Sequence, residues 1–137
     1  MSKLSILEIL EKIQEEKPFS AIALDGSFSI FIDEYVPYVC LAMHDGGNLR
    51  EDLRKKIKLK KFERWTEEDV LTGEFIFSLP IRIIAHDSRY EYDLNRSPKK
   101  CVYETAWGKE VWKKSLMRRP WKYQGQNIRD SIKLLKR

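Results

Sequence analysis

No apolar run in the 137-residue chain approaches the roughly 20 residues that a membrane-spanning helix requires. Nor does the N-terminus run from basic to apolar to small residues, as a signal peptide would. A cytoplasmic location without a membrane partner is the expectation. The chain has only two cysteines, Cys40 and Cys101, far apart and outside any Cys-x-x-Cys. That excludes a disulfide framework and gives no support to a zinc ribbon or a dithiol redox centre. Both are expected as reduced thiols, with Cys40 a small buried hydrophobe in an apolar run. There is no internal repeat, low-complexity linker or domain boundary, so residues 1–137 are read as one domain.

Apolar residues make up 42% and aromatics 12%, enough for a core and too many for a disordered chain. The net charge of +5 is unevenly placed. Residues 1–53 carry 4 basic and 10 acidic side chains, whereas residues 54–137 carry 22 and 11. A basic half attracts nucleic acid, anionic lipid or small acidic molecules, and composition does not choose among them.

Ser5 and Glu8 have the spacing of a capping box, and Ile6, Ile9, Leu10 and Ile13 recur at helical intervals, so an amphipathic helix is predicted before Pro18. Asp25-Gly26 is a turn dipeptide between two apolar stretches, residues 20–24 and 28–32, which predicts a hairpin. Residues 35–43 read as a buried strand interrupted by Pro37 and running into His44-Asp-Gly-Gly47. Asn48 is placed as the cap of a helix lined by Leu49, Leu53 and Ile57, and Thr66 as the start of a second helix with acidic residues in its first turn. Residues 73–79 and 81–85 read as strands either side of Pro80, the second ending at His86-Asp-Ser-Arg89. A short strand at residues 101–103 and a final basic helix bearing Ile128, Ile132 and Leu135 complete the reading. Two apolar strands thus deliver polar clusters at their carboxyl ends, where open α/β sheets bind ligands.

In the first cluster His44 stands beside Asp45 and two glycines, and imidazole is a common ligand of catalytic metals. In the second, residues 88–96 alternate Arg89, Glu91 and Asp93 with Tyr90, Tyr92 and Leu94, the pattern of a strand with one charged face. Arg89 and Arg96 can each present a planar fork to a carboxylate, Asp93 can orient one of them, and Asn95 is either a turn residue or a substrate contact. An internal arginine-carboxylate network is the alternative use of the same residues.

Four segments resemble the N-formylglutamate amidohydrolases and their flavohemoglobin expression-modulating relatives. They are Ala-Met-His-Asp-Gly at residues 42–46, Glu-Glu-Asp at 67–69, Ser-Arg-Tyr-Glu-Tyr-Asp-Leu-Asn-Arg at 88–96, and Ala-Trp-Gly-Lys-Glu-Val-Trp at 106–112. The resemblance covers about residues 36–116, the N-terminal part of the family pattern. It implies an α/β fold, a mixed sheet flanked by helices and related to the zinc carboxypeptidases (phosphorylase/hydrolase-like), or a truncated version of it. It further implies a metal-dependent hydrolase, with zinc the expected ion, that cleaves the amide of a small acidic N-acyl amino acid such as N-formylglutamate. His44 would ligate the metal, supported by Asp45, and Arg89, Asn95 and Arg96 would bind or frame the substrate carboxylates, supported by Asp93. Trp107 and Trp112 are assigned to core packing.

The chain departs from that pattern in three places. Gly47 stands where many relatives carry a histidine, and Val70 where a proline is common. The Asp-x-His-Ser-like segment of the family's second half is absent before Arg137, and the remaining histidine, His86, lies in a different motif. The metal site is therefore expected to be incomplete in this chain, with the rest supplied by a C-terminal half or a second subunit. A non-catalytic ligand-binding or regulatory relative is the alternative. A third reading is a nucleic-acid surface built from residues 55–61, Arg118, Arg119 and the last helix, with Trp121 and Tyr123 for stacking; it ranks lowest because no nucleic-acid motif accompanies the charge.

Overall fold

The computed structural model of the chain describes residues 1–113. Its centre is a mixed five-stranded sheet with a few helices, an α/β arrangement in the order β1-β2-β3-β5-β4. Strand β1 (Ser2–Leu4) leads into helix α1 (Ile6–Gln14) and returns as β2 (Phe19–Ala23), parallel to β1. The helix starts where the sequence predicts it. The Ser5 hydroxyl accepts from the Glu8 amide at 3.3 Å, and the Glu8 carboxylate accepts from the Ser5 amide at 2.7 Å. Ile9 then packs with Ala21, Ile30 and Ile32 in the first of two cores.

Strand β3 (Phe28–Ile32) pairs antiparallel with β2 across the expected turn. Gly26 takes φ +78° there, and the Asp25 carboxylate accepts from the Ser27 amide at 3.0 Å. Strand β5 (Ile81–Ala85) lies between β3 and β4 (Cys40–Ala42), antiparallel to the first and parallel to the second. Within it Arg82 is buried between the rings of Phe31 and Phe77 and donates to Asp33 at 2.5 Å. Because β4 and β5 run the same way, the chain leaves both at one edge of the sheet, beside the β2-β3 turn.

Several expectations are corrected. Of residues 35–43 only β4 is strand, and it is an edge strand: Tyr38, Val39 and Leu41 are about half exposed. Pro37 has no amide for a ladder, and Tyr35 instead reaches the carbonyl of Ile13 at 3.2 Å. Cys40 is half-buried and Cys101 fully buried, both as free thiols. Helix α2 is short (Glu51–Arg54) and Asn48 does not cap it; Asn48 continues the parallel pairing of the two strands through a bridge to Asp87. Thr66 closes helix α3 (Lys61–Trp65) rather than opening one. Residues 73–79 form no strand: α4 (Thr72–Phe75) and turns occupy them, leaving Phe75 and Phe77 exposed.

The second core lies beyond the sheet, where Leu49, Leu53 and Leu59 meet Tyr90, Val111 and Trp112. Residues 101–103 are not a strand; the short strands are β6 (Thr105–Ala106) and β7 (Lys109–Glu110). Trp112 is buried as expected, but Trp107 is exposed, because it occupies the β6-β7 turn with φ +55° ahead of Gly108 at +74°. The basic C-terminal helix, with Ile128, Ile132 and Leu135, lies outside the described residues, as do Arg118, Arg119, Trp121 and Tyr123. Among the described residues no helix is long and apolar enough to cross a membrane.

Candidate functional site

The two strand ends meet. The Asn48 amide donates to the His86 carbonyl at 3.0 Å, and the Ser88 amide donates to the Asn48 carbonyl at 2.7 Å. These bonds join residues 44–48 to residues 86–88. His86 is engaged within the scaffold, its Nδ1 3.0 Å from the Gly26 carbonyl and its Nε2 2.9 Å from the Ser29 hydroxyl. The carbonyl only accepts, so Nδ1 carries the hydrogen and the ring pins the β2-β3 turn to the end of β5.

Residues 88–96 form successive turns instead of a charged-face strand. The Ser88 carbonyl accepts from the Glu91 amide at 2.8 Å, and the Asp93 carboxylate accepts from the Asn95 amide at 2.8 Å. Such local bonds to serine and aspartate compete with a strand ladder and win here. The consequence is a different geometry for the arginines: Arg89 and Asp93 are an i,i+4 pair at 3.1 Å rather than neighbours on a flat face.

Asp93 is the hub of the site. It is fully buried, and its carboxylate accepts from His44 Nε2 at 2.9 Å, Arg89 at 3.1 Å and the Tyr103 hydroxyl, with Arg96 Nε at 3.4 Å. Burial opposes its ionisation, but the bonds from Tyr103, the Asn95 amide and His44 prevail and hold the carboxyl well below the usual range. Tyr103 also accepts from Arg89 at 2.9 Å and from Arg96 at 3.0 Å, so a single hydroxyl spaces the two guanidinium groups. Burial, and then the bond to Asp93, push that phenol upward.

An ionised carboxylate only accepts, so His44 Nε2 bears the hydrogen and the ring is oriented by Asp93. Its Nδ1 lies 3.1 Å from Asp69 Oδ2, a second acceptor. A cation between these two atoms satisfies both, whether a proton or a metal ion. Two ligands of a tetrahedral zinc stand about 3.4 Å apart, and a metal-ligating imidazole ordinarily donates its other nitrogen to a carboxylate, as His44 does to Asp93. His44 and Asp69 thus suit two corners of a metal site. Among the described residues no group of three or more His, Cys, Asp or Glu side chains is placed to hold a metal ion.

The other sequence candidates divide. Arg89 is largely enclosed, with its guanidinium engaged by the Glu67 carbonyl, Asp69, Asp93 and Tyr103. Arg96 is half exposed, and its terminal nitrogens have no partner among the described residues. Asn95 acts through its backbone amide, its side chain being exposed. Asp45 is turned away from the cluster and accepts from the Gly73 amide at 2.8 Å, which anchors α4. In the basic segment, Lys55 pairs with Glu51 and Lys58 with Glu110.

Asp69 and Tyr103 received no role from the sequence. Within the Glu-Glu-Asp segment, Glu67 accepts from the Tyr90 hydroxyl at 2.7 Å, Glu68 holds Arg64 and Ser88, and Asp69 faces His44. The family-like spacing of that segment was the available signal for Asp69; nothing local marked Tyr103.

On the far side of residues 88–94, burial, then Glu91 and Asp25, push the Asp87 carboxyl up to about 6. A carboxyl raised on folding weakens the fold wherever it is ionised, so the penalty is full above that value and disappears as pH falls toward 3.8, its ordinary value. Asp87→Asn is therefore expected to stabilise the protein at about pH 7.5 by the order of 1 kcal/mol, discounted for the solvent-facing half of the group. Urea unfolding should show the gain fading by about pH 4; a constant gain would disconnect it from ionisation.

No family model, curated protein or solved structure matches the chain.

Proposed function

We propose that the chain is a metal-dependent amidohydrolase of the N-formylglutamate type, acting on a small acidic N-acyl amino acid, with a fold related to the zinc carboxypeptidases and a cytoplasmic location. The observation that carries this reading is the convergence of His44, Asp69 and Asp93 with Arg89 and Arg96 at the carboxyl ends of two parallel strands. His44 and Asp69 would hold the metal, which when bound supplies an activated water and polarises the amide carbonyl. Further donors would come from another part of the polypeptide or a second subunit. Asp93 orients His44, and Tyr103 sets Arg96 so that its terminal nitrogens can grip a substrate carboxylate at two points. Arg89 frames that grip from within.

Calorimetric titration with N-formyl-L-glutamate, together with formate release in added zinc, tests the proposal. Arg96→Lys keeps the charge and loses the planar fork, so the expected loss is about 10- to 100-fold in affinity, with stability little changed. His44→Ala should abolish zinc-dependent formate release while leaving carboxylate binding in place. Failure of the dicarboxylate to bind at millimolar concentration, or unchanged affinity in Arg96→Lys, would overturn the substrate assignment. Among the described residues His44 and Asp69 are the donors that face each other, and the alternative is a ligand-binding relative without hydrolysis, for which the same titration shows binding and no formate.

A further inference from the structure

The α1 side of the sheet is only partly covered. Register places Phe28 opposite Ala85, Ile30 opposite Ile83, and Ile83 opposite Leu41, so these side chains share one face. Helix α1 closes that face over Ala21, Ile30 and Ile32. Beyond it, over β3, β5 and β4, lies a cavity of about 680 Å³ lined by Phe28, Leu41, Met43, Ile83, Leu94 and Asp87. This volume lies within the range of small-molecule sites, and the combination of an apolar floor and few polar groups is typical of them.

The charged groups in the lining, which also holds Ser27 and Tyr92, are all carboxylates, and they differ in what they already hold. Glu91 accepts from Arg50 Nε at 2.5 Å and from the Arg50 amide at 3.0 Å. Asp25 accepts from the Ser27 amide and hydroxyl. Asp87 receives no hydrogen bond from a described side chain, although Arg50 and His86 are near enough to act on it through space. Arg50 is directed to Glu91, and His86 to Gly26 and Ser29. One half-buried carboxylate therefore faces an apolar cavity without a counter-ion in contact.

We propose that this cavity is a binding site for an organic monocation, an amine with an apolar body, whose ammonium sits on Asp87 and whose body lies against Phe28, Leu41 and Ile83. A single positive charge suits a site with one carboxylate left to pair, and the apolar floor excludes a strongly hydrated inorganic cation. The site is separate from the His44 cluster and does not depend on the function proposed for it. The raised carboxyl of Asp87 agrees with the same arrangement, since an ammonium would relieve the repulsion from Glu91 and Asp25.

The probe is hexylammonium at about pH 7.5, with hexanol and hexanoate as neutral and anionic controls of similar shape, followed by amide chemical shifts on the whole chain. Hexylammonium is expected to bind at least about tenfold more tightly than hexanol, moving signals around Leu41, Ile83 and Asp87, while hexanoate does not bind. Asp87→Asn should erase the preference for the amine, and Leu41→Lys, at a half-exposed position, should abolish binding of both probes. Equal affinity for amine and alcohol, a preference that survives Asp87→Asn, or no amine binding at millimolar concentration overturns the proposal. Sedimentation covers the other occupant: self-association that is lost in Leu41→Lys would assign the cavity to a second copy of the chain and overturn the amine site.

Discussion

Gly46→Ala is expected to destabilise the protein by more than about 3 kcal/mol, whereas Gly47→Ala, one residue on, should cost less than about 1 kcal/mol. A Cβ at position 46 would lie 2.0 Å from both the carbonyl carbon and the oxygen of His86. Those are backbone atoms, and no rotamer change moves them. Relief requires the two strand ends to part, which breaks the bonds from Asn48 to His86 and from Ser88 to Asn48. The same parting carries His44 away from Asp93. At position 47 a Cβ would meet only the Glu68 carboxylate, at 3.1 Å and through Oε2, while Arg64 and Ser88 hold Oε1, so Oε2 can yield by a few tenths of an ångström with those bonds kept. Thermal unfolding of both variants measures the contrast, and equal losses would show that the close approach of the strand ends is not what position 46 protects.

That comparison also explains what was legible in the sequence. Helix α1 and the β2-β3 hairpin were readable because their signals are local: Ser5 bonds to Glu8 three residues away, and Asp25-Gly26 closes its own turn. The paired strand ends were readable too, since continuous apolar runs turned polar at His44 and His86. Residues 73–79 misled because an apolar run resembles a strand whether or not a partner is present. Here the Gly73 amide goes to Asp45, 28 positions earlier, and Phe75 and Phe77 remain exposed. Residues 88–96 misled for the opposite reason, with local bonds to Ser88 and Asp93 overriding an alternating pattern. The roles of Asp69 and Tyr103 exist only in three dimensions, because each depends on a partner brought to it by the sheet edge or by the second core.

Asp93→Ala is expected to cost about 3 to 5 kcal/mol, the usual consequence of removing one partner from a buried ion pair. Its removal leaves the Arg89 guanidinium, whose Nε already lacks a hydrogen-bond partner, without its principal counter-ion. It also strips an acceptor from His44 Nε2, the Tyr103 hydroxyl and the Asn95 amide. Asp93→Asn preserves the shape and part of the bonding, so its loss should be smaller. The pH dependence follows from the depressed carboxyl: the stabilisation is complete above the ordinary aspartate value of 3.8 and is lost as acid approaches the lower value held in the fold. The gap between the wild type and Asp93→Asn should therefore be widest near neutrality and narrow in strong acid, which urea unfolding across that range can measure. Nitrogen-15 spectra of His44 provide a readout beyond stability, since an imidazole no longer held by Asp93 should lose its fixed Nε2 hydrogen even in the fraction that stays folded. A cost below about 1 kcal/mol, with the tautomer unchanged, would mean that Asp93 neither organises the arginines nor orients the histidine.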